Sequence, residues 1–196
     1  MQPIIKLLLV VAVAFSLAAC GFQAIPKSKN KVEAAWAEVQ NQYKRRADLI
    51  PNLVEVVKGY AKHEKETLEG VIEARAKATQ ITVNPNDLNE KTMKQFQGAQ
   101  GELSRALGRL MVVSERYPDL KANQNFRDLQ VQLEGTENRI TVARQRYIEA
   151  INEFNNHITV PPNSWTNALF YHNQKMPQFT VEGEPNIEQA PKVTFQ

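Results

Sequence analysis

The chain has one cysteine, Cys20, in 196 residues. No intramolecular disulfide is possible, so stability must come from an apolar core, and a chain of this length can build one. Histidine is almost as scarce, with three scattered copies. His63-Glu64 opens a zinc-protease helix pattern, but Thr67 stands where the second ligand is needed. The residues three before His63, His157 and His172 are Tyr60, Phe154 and Leu169, which excludes the Glu-x-x-His pairs of di-iron bundles. There is no glycine-rich phosphate loop and no Gly-x-Ser-x-Gly elbow. These absences point away from an enzyme, a metal site or a cofactor. Charge of one sign is also lacking. The 24 basic and 21 acidic side chains leave a formal +3, too weak and too dispersed for a nucleic-acid binder.

What is present begins at the N-terminus. Residues 1–20 read MQPIIKLLLVVAVAFSLAAC, with Lys6 ahead of the apolar run Leu7–Phe15. This is the plan of a secretory signal, and the run is short for a membrane span of about 20 residues. Leu17-Ala18-Ala19-Cys20 followed by Gly21 resembles the bacterial lipobox. That resemblance implies cleavage after residue 19, palmitate-type acylation of Cys20, and a lipid anchor in the cell membrane or outer membrane, with the soluble part outside the cytoplasm. Residues 20–30 then form a tether carrying Lys27 and Lys29.

The mature chain is patterned for helices. Val32, Trp36, Val39, Tyr43, Arg46, Ile50, Leu53, Val57, Tyr60, Glu64, Thr67, Val71, Ala74 and Ala78 recur at alternating steps of three and four. Pro51 interrupts this segment without shifting the register, which predicts a helix kinked at Pro51 or broken there. A second seam runs Phe96, Ala99, Leu103, Ala106, Leu110, Val113 and Tyr117. A third runs Phe126, Leu129, Leu133, Thr136, Ile140, Ala143, Tyr147, Ala150 and Phe154, started by Asn123 or Asn125 as N-cap. Pro161 and Pro162 stop it. A short helix over Trp165–Tyr171 and a proline-rich tail follow, in which Phe179, Val193 and Phe195 argue for some packing. The expectation is an all-α, up-and-down antiparallel bundle of three long helices over residues 31–158, with the short helix and tail over 159–196.

Polar residues on these apolar seams are the candidate site. Arg46, Glu64 and Thr136 occupy seam positions, and a buried charge needs a partner or water. The run Glu134-Gly135-Thr136-Glu137-Asn138-Arg139 is unusually polar for a core helix. Gly135 suggests a close helix approach there. Arg45, Arg46, Asp48 and Asn52 near Pro51 are the candidate facing partners. Two readings stand: a register-fixing polar layer, or a ligand or partner site formed by Arg46, Asp48, Asn52, Glu134, Glu137, Asn138 and Arg139.

Residues 43–64, YKRRADLIPNLVEVVKGYAKHE, and residues 116–156, RYPDLKANQNFRDLQVQLEGTENRITVARQRYIEAINEFNN, resemble the two signature stretches of the bacterial LemA family. The ending PKVTFQ resembles that family's close. The resemblance covers the chain from about residue 29 onward. It implies an up-and-down helical bundle, membrane-attached at its N-terminus, with no accepted enzymatic activity. The lipobox stands where family members usually carry a longer membrane segment, and Pro-Asn-Ser-Trp replaces the usual sequence after Pro161. Together these features predict a non-catalytic, lipid-anchored bundle of the cell envelope that binds an envelope protein, with a small-ligand or enzymatic site on the polar layer as the alternative.

Overall fold

The computed structural model describes residues 2–179; the side chains of residues 2–21 and of Asn86 lie outside the description. The side chains of the expected signal segment and of Cys20, the expected lipidation site, and Val193 and Phe195 of the tail therefore fall outside the described set. Every regular element among the described residues is helical. Helix α1 spans Gln2–Tyr60, α2 spans Lys65–Gln80, α3 spans Glu90–Ser114, α4 spans Pro118–Ala122, α5 spans Gln124–Thr159 and α6 spans Asn163–Thr166. Among the residues searched, no helix is long and apolar enough to cross a membrane.

α1 and α5 form the antiparallel spine. Lys31 meets Glu153, Trp36 stacks on Tyr147, Arg46 reaches Glu137, and Tyr60 bonds Asn123. Each advance along α1 is matched by a nearly equal retreat along α5, the geometry of two coiled neighbours. α2 and α3 make a helical hairpin that packs on the spine. Its connection is pinned by the Trp36 indole N–H, which donates to the Val83 carbonyl at 2.8 Å, and by Gln40, which donates to the same oxygen.

Local chemistry sets the helix ends. Asn89 and Thr92 exchange side chain-to-backbone hydrogen bonds as a capping box for α3. Asn123, rather than Asn125, caps α5 by accepting from the Phe126 N–H at 3.0 Å. Pro118, read from the sequence as a stop, also starts the one-turn helix α4, where its missing N–H costs nothing.

Of the two outcomes expected at Pro51, a kinked helix or a break, the break falls elsewhere. α1 runs through Pro51, and the chain leaves the helix ten residues later, at 61–64. The apolar register slips there too. Tyr60 is exposed and Ala61 is buried in its place, Leu68 replaces Thr67, and the predicted spacing resumes at Val71. The cause is tertiary. Glu64 accepts from Tyr117 at 3.1 Å and pairs with Arg116 at 3.0 Å, so the α3–α4 corner holds the chain out of the helix.

Pro51 lacks an N–H and so leaves the carbonyl of Ala47, four residues earlier, without its helical donor. Arg75 of α2 donates to that oxygen at 2.7 Å. The same logic recurs at Pro26, where the freed carbonyl of Phe22 accepts from the Tyr171 hydroxyl at 2.9 Å. Both prolines turn an interrupted helical bond into a tertiary tie.

Two apolar cores result. One gathers Trp36, Tyr43, Phe96, Ile140, Tyr147, Phe154 and Phe179, with Trp36 ring centroids 5.1 Å from Phe96 and 5.2 Å from Tyr147. The other gathers Ile50, Leu53, Val57, Val71, Leu103, Leu110, Leu120 and Phe126. Beyond α5, residues 167–171 form one wider π-type turn, and residues 172–179 lie extended along α5. Asn155 brackets the Met176 backbone with two hydrogen bonds, and Phe179 is buried.

Candidate functional site

The polar layer sits between the two cores. On α1, Arg46 lies between Tyr43 and Ile50. On α3, Gln100 and Ser104 lie beside Phe96 and Leu103. On α5, Thr136 and Glu137 lie between Leu133 and Ile140. Each helix departs from its apolar pattern at the same height, so three polar interruptions meet in one plane.

Arg46 organises the layer. It is 2% exposed and is the only charged residue among the described ones that is buried. Nη1 donates to Ser104 Oγ at 2.9 Å and to Glu137 Oε2 at 3.1 Å. Nη2 donates to Gln100 Oε1 at 2.8 Å and to the Gln100 carbonyl at 3.2 Å. Gln100 in turn donates to the Ala78 carbonyl of α2 at 3.1 Å, so the network touches all four main helices. The guanidinium carbon lies 5.0 Å from the Tyr43 ring centroid, within cation–π range. Nε is buried and finds no acceptor among the described residues. Burial pushes the Tyr43 phenol pKa up, against the opposing pull of the Arg144 and Arg46 guanidinium groups.

Glu137 is the open side of the layer, with its side chain about half exposed. It fronts a groove of about 310 Å³ between α3 and α5, walled by Leu107, Met111 and Leu133 and rimmed by Gln130 and Glu134. Val112 and Val131, on the same two helices, are largely exposed.

The residues singled out from sequence divide. Arg46, Glu137 and Glu134 come together at this groove. Asp48 is exposed and borders a different hollow, with Lys44, Thr79 and Thr82. Asn52 and Asn138 are exposed as well. Arg139 is exposed and, among the described residues, its hydrogen bond is to Thr136 of its own helix, at 3.4 Å. Among the described residues, no hydrogen bond joins Asp48, Asn52 or Asn138 to Arg46. Gly135 does not mark a close helix approach. A Cβ added there would meet only the Arg139 side chain, at 3.7 Å. Thr136 is buried because its hydroxyl donates to the Gln132 carbonyl of its own helix at 2.7 Å. Sequence reading missed Gln100 and Ser104. Their signal was two polar residues four apart beside the second apolar seam. No cluster of His, Cys, Asp and Glu suited to a metal occurs among the described residues.

Fold and site together define a class: an all-α bundle whose antiparallel spine is cross-braced by one buried arginine. The chain belongs to the LemA family, whose model matches residues 35–195. It is 24% identical over 143 residues to Protein LemA of Metamycoplasma hominis, covering 73% of this chain and 60% of that protein. It is also 33% identical over 89 residues to Magnetosome proteins MamQ 2 and MamQ 1 of Paramagnetospirillum magneticum, covering 45% of this chain and 32% of each. The match thus spans under two thirds of the length of these relatives.

Proposed function

We propose that this LemA-family chain is a non-catalytic module of the cell envelope, anchored by lipid on Cys20, that holds a protein partner in the groove between α3 and α5. The observation that carries the reading is the pairing of an open apolar groove with a floor whose terminal guanidinium nitrogens are already bonded. Both terminal nitrogens of Arg46 are committed to protein acceptors, whereas Leu107, Met111 and Leu133 stay half-buried above them. Apolar walls with a polar rim suit an amphipathic helix laid into the groove. The anchoring part of the proposal rests on the lipobox-like Leu17–Cys20. On this reading the bundle belongs on the cell membrane or outer membrane, outside the cytoplasm.

The test is site-specific photocrosslinking in cells. A photoreactive residue at Met111 or Leu133 is expected to give one discrete adduct with an envelope protein, absent from the same probe at exposed Gln145 and removed by Leu107→Asp. Adducts of equal yield at all three positions, or none, would sink the partner reading. Labelled palmitate is expected to enter the wild type and not Cys20→Ser.

The second reading is a small-ligand site in the same groove, favoured by the unpaired Nε of Arg46. It requires a molecule that raises the melting temperature of the wild type and not of Arg46→Met.

A further inference from the structure

At the end of the bundle opposite the α1–α2 break, apolar side chains are left in solvent. Phe22 is 42% exposed, Trp165 65%, Leu169 71% and Phe170 60%. They form one surface. Phe22 and Phe170 stack with ring centroids 4.8 Å apart, and Tyr171 lies 6.2 Å from Phe22. Trp165 and Leu169 sit one turn apart on the segment that carries Phe170. The Tyr171 hydroxyl bonded to the Phe22 carbonyl fixes that segment to α1, so the surface is held in place by the fold.

Two further observations say what covers it. First, α1 runs without interruption from Phe22 back to Cys20, the proposed site of the lipid. At 1.5 Å per residue, Cys20 is only about 3 Å along the helix from Phe22. Second, the charge is one-sided. Residues 1–32 contain no Asp or Glu, and neither do residues 154–181, whereas Lys27, Lys29, Lys31 and Lys175 lie on these stretches. Glu153, the nearest acid on α5, is paired with Lys31. Exposed aromatics beside the proposed lipid site, on stretches that carry lysines and no acids, match the interfacial zone of an anionic bilayer.

We infer that Phe22, Trp165, Leu169 and Phe170 form a docking surface for an anionic lipid bilayer, seating this end of the bundle among the headgroups. The inference rests on the reading that the chain is membrane-attached at its N-terminus. It adds a second, non-covalent contact that sets the orientation of the bundle: the spine stands away from the membrane and the α3–α5 groove is held at a set height.

The experiment uses the full chain reconstituted in vesicles of phosphatidylglycerol and phosphatidylethanolamine carrying brominated acyl chains. Trp36 is fully buried, so the difference between the wild type and the exposed-site variant Trp165→Phe isolates the Trp165 emission. Expected is a blue-shifted Trp165 component that is quenched by bromine near the headgroups, less by bromine near the chain ends, and little by aqueous iodide. Replacing phosphatidylglycerol with a zwitterionic lipid weakens the bromine quenching. A protein that floats with the vesicles while Trp165 stays open to iodide and untouched by bromine overturns the inference and leaves membrane attachment standing. Shielding from both quenchers overturns it in favour of a protein cover such as a second copy. Failure to float at all overturns the attachment as well.

Discussion

Arg75 on α2 donates through Nε to the carbonyl oxygen of Ala47 on α1, at 2.7 Å. That oxygen is free because Pro51, one turn further on, has no N–H to offer it. The hairpin of α2 and α3 is therefore fastened to the spine at the point where the spine's own ladder is interrupted. A helix defect at Pro51 has become a docking point, and the helix passes through it unbroken.

This relationship predicts a coupling. Ala47 is buried, so Arg75→Ala leaves a buried acceptor unpaired and is expected to cost about 1.5–3 kcal/mol. In a Pro51→Ala background the alanine N–H supplies the missing bond, and Arg75→Ala should then cost no more than about 0.5 kcal/mol. Urea unfolding of the two single variants and the double variant measures the difference. Equal costs of Arg75→Ala in both backgrounds would refute the tie.

The polar layer predicts an asymmetry between its two charges. Arg46→Ala removes the donor to Gln100 and Ser104 and opens a cavity, for an expected loss of about 2–4 kcal/mol. Glu137→Gln should cost about 1 kcal/mol or less, because Glu137 faces water and its charge is screened. Arg46→Met fills the volume and should recover part of the loss. Chemical denaturation ranks the three, and a Glu137→Gln effect as large as that of Arg46→Ala would show that the ion pair, not the hydrogen-bonded donor, carries the layer.

Gly135 predicts a gain. It lies inside α5 with open space around its missing Cβ apart from the end of the Arg139 side chain. Gly135→Ala should therefore stabilise the fold by about 1 kcal/mol through helix propensity. The midpoint of thermal unfolding should rise; a fall would restore the close approach that the structure lacks.

The pH profile follows from two buried phenols and one surface carboxylate. Burial raises the pKa of Tyr147 and Tyr43 above the ordinary value of 10.0. The unfolded chain then ionises first. Stability is full below pH 10 and falls as pH climbs above it, and Tyr147→Phe should flatten that decline. The hydrogen bond from Lys31 lowers the Glu153 pKa, with Coulombic help from Lys31, His157 and Lys27, against the upward pull of desolvation. Its contribution is present above the ordinary carboxylate value and is lost as pH falls through the lowered one. Carboxyl chemical shifts of Glu153 should titrate below that ordinary value in the wild type and return toward it in Lys31→Met.

Legibility in the sequence followed the range of each interaction. The three apolar seams were readable because a helix buries one stripe: Phe96, Ala99, Leu103, Ala106, Leu110 and Val113 on α3 are buried as predicted, and so are Ala143, Tyr147 and Phe154 on α5, where Ile151 is buried in place of the predicted Ala150. The Asn123 cap was readable as one of two candidates, with Asn125, because its bond is three residues long. Arg46 was readable as a polar residue on an apolar seam, and Glu137 as part of the polar run opposite. Asp48, Asn52, Asn138 and Arg139 were wrongly gathered with them, because nearness in sequence on a helix rotates each neighbour by about 100° and sends it to another face. Gln100 and Ser104 were missed because an ordinary polar pair becomes a binding partner only when another helix delivers a guanidinium to it.

The sequence by itself determined that the chain is helical, most of the buried stripe on each long helix, the candidate cap of α5, and that the prolines at 26 and 51 free two particular carbonyls, since all of these depend on residues within a turn or two of one another. Only the tertiary structure decided that the chain leaves α1 at 61–64, that Arg75 and Tyr171 fill the freed carbonyls, that the polar residues of three helices share one plane, and that Phe22 meets Phe170. Those outcomes turn on contacts across tens of residues, where the winning partner is set by the packing of whole helices and not by any local preference.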